Sequence, residues 1–161
     1  SDPASSGQIA YSFAQPAEGY EHVRYLLSSF PDAPGETGLI QGLNRDSKII
    51  NETALKMLES FESGDNTSVR RNAESIMNLL AGSQSQDHKD WNKDGFLTDV
   101  SDGYGLLPNG DNLGYLQAVY AEADYAANTP GATQKMIVNG EDIKICVQNL
   151  AQWNLNYKTW C

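Results

Sequence analysis

The sequence predicts an all-α fold: an up-and-down helical bundle of four main helices plus a short N-terminal one, with a long metal-held loop. Three observations predict it. Apolar residues recur at spacings of three and four over segments of helical length. No segment alternates apolar and polar residues over the length of a strand. One stretch, 82–111, is rich in Gly, Asp, Asn and Ser and interrupts the helical pattern before Pro108-Asn109-Gly110-Asp111.

Residues 1–15 read as an irregular, flexible lead-in that opens on the small polar run Ser1-Asp2-Pro3-Ala4-Ser5-Ser6-Gly7. Residues 16–161 then read as a single helical domain. The short first helix, 18–30, carries Tyr20, Val23, Leu27 and Phe30 in line, and Pro31 to Gly35 ends it. Leu39, Ile40 and Leu43 sit among glycines and suggest one short turn. The second helix, 45–62, aligns Ile50, Ala54, Leu58 and Phe61. Gly64 suits the left-handed residue after a helix, and Asp65 or Asn66 suits the next N-cap. A third helix, 67–81, aligns Val69, Ala73, Ile76 and Leu80, so the second and third form an antiparallel hairpin. The fourth starts at Asp111 or Asn112 and carries Leu113, Leu116, Tyr120 and Ala127. Thr129-Pro130 opens the fifth, whose stripe is Ile143, Cys146, Leu150, Trp153, Tyr157 and Trp160, with a kink expected at Asn139-Gly140.

At 161 residues and 40% apolar composition, the chain suits one domain with a core of its own. Twenty-one acidic against eleven basic residues give a charge of −10. Such a surface repels phosphate backbones and anionic lipid, which disfavours nucleic acid and membrane-surface partners. No run approaches the ~18 apolar residues of a membrane span. The two cysteines lack CxxC spacing, which argues against a zinc ribbon or a thioredoxin-type site. On one continuous helix Cys146 and Cys161 would stand roughly 22 Å apart, beyond disulfide reach, so a bridge requires the chain to fold back.

The segment 87–111 holds six aspartates and no glutamate. From Asp90 it reads D-W-N-K-D-G-F-L-T-D-V-S-D. These thirteen residues, 90–102, resemble the calcium loop of EF-hands and dockerin-like DxNxDG loops; the rest of the chain suggests no family. The resemblance implies Ca²⁺ as cofactor. Asp90, Asn92 and Asp94 then stand at loop positions one, three and five, Gly95 makes the turn, and Phe96 offers its carbonyl. The spacing has a direct cause: calcium takes about six to eight oxygen ligands at about 2.3–2.6 Å, and alternate side chains of a bending chain converge on one point. Where an EF-hand has its closing Glu this chain has Ser101, so Asp99 or Asp102 must complete the shell. The absence of a second such loop in this sequence argues against a calmodulin-like sensor. The bland alternative is that these Asx residues simply cap turns.

Other chemistry finds little support. Neither His22 nor His88 belongs to a zinc pattern or a nucleophile triad, and the expected roles are structural or exposed. Trp91 and Tyr104 suit a glycan-stacking or partner surface as well as loop anchoring, while Trp153 and Tyr157 suit the core. Asn51-Glu52-Thr53 and Asn66-Thr67-Ser68 match the N-glycosylation pattern. The expected function is a non-catalytic, extracytoplasmic or secreted domain with a structural calcium ion, serving interaction with a protein or glycan partner. One alternative is a calcium-dependent hydrolase-type enzyme with its site around Asp87, His88 and Asp99. A second is a bundle that holds a small molecule or haem in a cavity lined by the first and fifth helices.

Overall fold

A computed structural model describes residues 17–160, with side chains from 18 to 153. The expected lead-in over 1–15, the side chains of Tyr157 and Trp160, and Cys161 with its bridge lie outside these. Five α-helices follow one another: α1 Ala17–Leu27, α2 Leu39–Glu62, α3 Asn66–Ala81, α4 Gly114–Asn128 and α5 Gln134–Trp160. A 3-10 turn, Pro34–Glu36, lies between α1 and α2, and no strand occurs among the described residues. The fold is an all-α bundle in which α1, α2 and α5 pack on α4, and α3 packs on α2.

The helix α2 begins six residues earlier than the sequence suggests. The glycines do not break it, because Gly42 is where the Tyr115 ring from α4 lies against the α2 backbone. A Cβ there would stand 2.2 Å from Tyr115 Cε1. Leu39, Leu43 and Asp46 continue the buried face on the same helix. A similar close approach explains why Asn139-Gly140 neither kinks nor splits α5. A Cβ on Gly140 would meet Ala127 Cβ at 2.8 Å and the Ala123 carbonyl oxygen at 2.9 Å, so this glycine seats α5 on α4.

The expected hairpin of α2 and α3 forms across the turn at 63–66, with the Asp65 carboxylate accepting from Ser68 N–H at 3.1 Å as N-cap. Its expected apolar interface is only half present. Leu80 is buried and Ile50, Ala54, Val69, Ala73 and Ile76 are half-buried, but Leu58 and Phe61 are 52% and 68% exposed. Among the described residues neither belongs to the hydrophobic core, and both stand open to solvent. Leu58→Ala is therefore expected to change stability by less than about 0.5 kcal/mol. Leu43→Ala, at the covered end, should cost about 2–5 kcal/mol. Urea denaturation of both variants checks the pair, and a large loss for Leu58→Ala would contradict the arrangement.

Two other boundaries shift for hydrogen-bonding reasons. Asn109 and Asn112 exchange backbone hydrogen bonds at 3.0 and 2.9 Å, closing a turn that delays α4 to Gly114. The first N–H groups of α4 are then capped by loop carbonyls: Tyr115 N donates to Gly105 O and Leu116 N to Leu106 O. Thr129-Pro130-Gly131 closes α4 instead of opening α5. On α5 Val147 is buried, Ile143 and Leu150 are half-buried, and Cys146 faces solvent. Trp153, expected in the core, is 68% exposed. The buried face keeps Ile143 and Leu150 of the expected stripe but passes through Val147 in place of Cys146 and leaves Trp153 in solvent.

Candidate functional site

The long connection from α3 to α4 is less polar than its composition suggests. Tyr104 and Leu106 enter the hydrophobic core beside Leu39, Leu79 and Tyr115. Tyr104 is thus an anchor, not a surface platform, and burial pushes its hydroxyl up to about 12. Ser83 N–H donates to Gly103 O at 2.9 Å and Leu107 N–H to Leu80 O at 3.0 Å, zipping the two ends of the loop. Protein hydrogen bonds thus tie both ends of this segment to the bundle.

Two residues of α3 that the sequence reading overlooked do most of the holding. Glu74 is 1% exposed, a carboxylate inside the protein. Its Oε2 accepts the N–H groups of Trp91 and Asn92, both at 3.1 Å, and its Oε1 accepts Thr98 N–H at 2.7 Å. One side chain thereby ties both ends of the arc 91–98 to the helix. One turn on, Asn78 accepts Lys89 N–H at 3.0 Å and donates to the carbonyls of Lys89 and Thr98 at 3.1 and 2.9 Å. Their signal in the sequence is two polar residues at i and i+4 on the inward face of an amphipathic helix.

Within the arc, Asp90 organises the turn. Its Oδ1 accepts from Lys93 N–H at 2.7 Å and Asp94 N–H at 3.3 Å, and its Oδ2 from Gly95 N–H at 2.9 Å. Asn92 Oδ1 also accepts from Asp94 N–H, at 2.8 Å, so the oxygens of Asp90 and Asn92 converge on one amide. Asp94 Oδ1 accepts from Phe96 N–H at 2.9 Å. Gly95 sits at φ 89°, a left-handed position that suits glycine, and Lys93 at φ 60° carries the only other positive φ within the arc. Arg71 of α3 stands 4.0 Å from Asp94 Oδ2.

The structure brings together Asp90, Asn92, Asp94 and the Phe96 backbone, and holds Asp99 and Asp102 in other interactions. Asp99 Oδ2 pairs with His88 Nε2 at 2.8 Å, and its Oδ1 accepts Ser101 N–H at 2.8 Å. Burial raises the Asp99 carboxyl, but these hydrogen bonds outweigh it and hold the group below the usual carboxylate range. His88, expected to be plainly exposed, is three-quarters hidden or more by this pairing. Asp102 Oδ2 accepts from Arg45 of α2 and, at 2.7 Å, from the Tyr115 hydroxyl of α4. Arg45 also reaches Asp46, a fully buried acid whose carboxyl is raised chiefly by desolvation. Among the described residues no group of three His, Cys, Asp or Glu side chains stands together as a metal cluster. The arc itself offers two carboxylates, one amide oxygen and a carbonyl, a hard-oxygen set suited to Ca²⁺ and unsuited to zinc.

A groove of about 530 Å³ lies beside the arc, lined by Arg70, Glu74, Met77, Asp87, Trp91 and Asn92 among others. Trp91 donates its indole N–H to Asp87 O at 3.0 Å, and the Lys89 ammonium lies 4.1 Å from its ring centroid. His22, far along the sequence, pairs with Glu122 at 2.6 Å and stacks on Tyr125, a satisfied contact between α1 and α4.

No family model, curated protein or solved structure matches this chain.

Proposed function

We propose that residues 90–96 hold one Ca²⁺ as a structural ion in a non-catalytic, extracytoplasmic helical-bundle domain that serves interaction or ligand binding. The supporting observation is the convergence of Asp90 Oδ1 and Asn92 Oδ1 on the single N–H of Asp94. These hydrogen bonds hold the side-chain oxygens of Asp90 and Asn92 close together, and a cation needs several oxygens in one place. Asp90, Asn92, Asp94 and the Phe96 carbonyl are the protein ligands, and water completes the shell. Asp99 and Asp102 are engaged with His88 and with Arg45 and Tyr115, so neither supplies the bidentate carboxylate of a tight EF-hand. The site is accordingly weak, in the range of about 10⁻⁴–10⁻³ M typical of extracellular modules, and fills where free calcium is high. The groove beside the arc, with Trp91 and Arg70 on its walls, is the surface offered to a protein or glycan partner.

Calorimetry tests the ion directly. The protein should take up one Ca²⁺ at millimolar concentration, and Asp90→Ala with Asp94→Ala should abolish the heat. Absence of heat for the unaltered protein would falsify the reading. Because protein contacts already order the loop, calcium should raise the melting temperature while leaving far-UV circular dichroism unchanged at 25 °C. At a hundred times the dissociation constant, linkage stabilises the fold by about 2.7 kcal/mol.

A further inference from the structure

A second feature, remote from the loop, is an apolar cleft of about 220 Å³ among α1, α2, α4 and α5. Leu26 and Leu27 of α1, Ile40 of α2, and Met136 and Ile143 of α5 form its walls. Its floor is where Gly140 meets Ala123 and Ala127, so the helices approach closely below and part above. The cleft has one charged lining residue, Lys135, on the first turn of α5. Among the described residues Lys135 makes no ion pair, although the chain carries nearly twice as many acids as bases. Its neighbour on the same helix shows the contrast: Lys144 is bound by both Asp124 and Glu141.

We infer that this cleft binds a short alkyl carboxylate, the chain between α1 and α5 and the carboxylate on Lys135. Each component follows from the lining. Apart from Asn139, one turn from Lys135 on the same helix, the Leu, Ile, Val, Ala and Met side chains of the lining offer no hydrogen bonds, so the body of the ligand must be apolar. At roughly 30 Å³ per water-sized group the cleft accommodates about seven methylene-sized units, too few for haem or a long-chain lipid. The solvent-exposed Lys135 ammonium, the one charge on an otherwise neutral lining, selects an anion over a neutral or cationic head. The proposal does not depend on the calcium reading.

Octanoate, 1-octanol and octylammonium, which share a chain and differ in head group, test it by calorimetry or NMR titration. Octanoate should bind at least about tenfold more tightly than octanol, and octylammonium most weakly. Hexanoate should bind about fourfold more weakly for each methylene removed. Lys135→Met should bring octanoate down to octanol without changing octanol. Leu27→Asp, on an exposed wall where folding is not at stake, should weaken octanoate and octanol together. Circular dichroism confirms that each variant is folded. No saturable octanoate binding to the unaltered protein would overturn the inference, as would a preference over octanol that survives Lys135→Met.

Discussion

Glu74→Ala is expected to lower the free energy of unfolding by about 3–5 kcal/mol, the largest loss for any residue near the loop. The substitution removes the common acceptor of Trp91, Asn92 and Thr98 N–H groups from a site that is 1% exposed. Three partly buried donors then have no partner until water reaches them, and each such loss costs about 1–3 kcal/mol. Glu74→Gln keeps the size and one acceptor oxygen but turns an NH₂ toward the remaining donors, so its cost should be intermediate, about 2 kcal/mol. Urea denaturation measures both. Amide hydrogen exchange adds a local readout: protection at residues 91, 92 and 98 should vanish in Glu74→Ala while α4 keeps its own. Unchanged protection at those amides would show that Glu74 does not clamp the arc. The same variant should weaken calcium binding, since an arc released from α3 no longer holds Asp90 and Asn92 in position.

Tyr115→Ala should be nearly as damaging, at about 3–5 kcal/mol. Tyr115 is fully buried, the largest such side chain, and packs on Tyr104 with ring centroids 4.6 Å apart. Its hydroxyl is held well above the usual range, first by burial and then by its hydrogen bond to Asp102. Tyr115→Phe retains the ring and loses that bond to a charged acceptor together with the longer one, 3.5 Å, that the hydroxyl accepts from Arg45, about 1.5–3 kcal/mol. The mirror experiment is Gly42→Ala, which places a methyl where the ring lies and should cost about 1–3 kcal/mol by overpacking. In the Tyr115→Leu background that methyl should be tolerated, making the two changes non-additive. Thermal or urea melts of the four single variants and the Gly42→Ala, Tyr115→Leu double variant provide the check. Strict additivity would mean that Gly42 and Tyr115 do not share this contact.

The helices themselves were legible because periodicity is local. The stripes of α3 and α4 fall within a few residues of their observed positions, and the turn at 63–66 reads from Gly64 and Asp65 alone. The arc was legible too, since D-x-N-x-D-G encodes its own Asx turns through contacts two to five residues apart. Burial was less so. Leu58 and Phe61 have the right spacing for a core but stand outside it, open to solvent. Trp153 fails in the same way toward the end of α5.

By itself, then, the sequence determined an all-α chain, a hairpin of α2 and α3, and an arc of Asx turns at 90–96, because each depends on residues close along the backbone. The tertiary structure decided what holds the loop and which glycines lie inside helices. Glu74 and Asn78 act across 11 to 24 residues, Arg45 reaches Asp102 across 57, and Gly42 is a glycine because of Tyr115 on another helix. No local pattern records such pairings. They exist only once hydrophobic burial has brought distant segments together, where each buried N–H and carboxylate needs a partner.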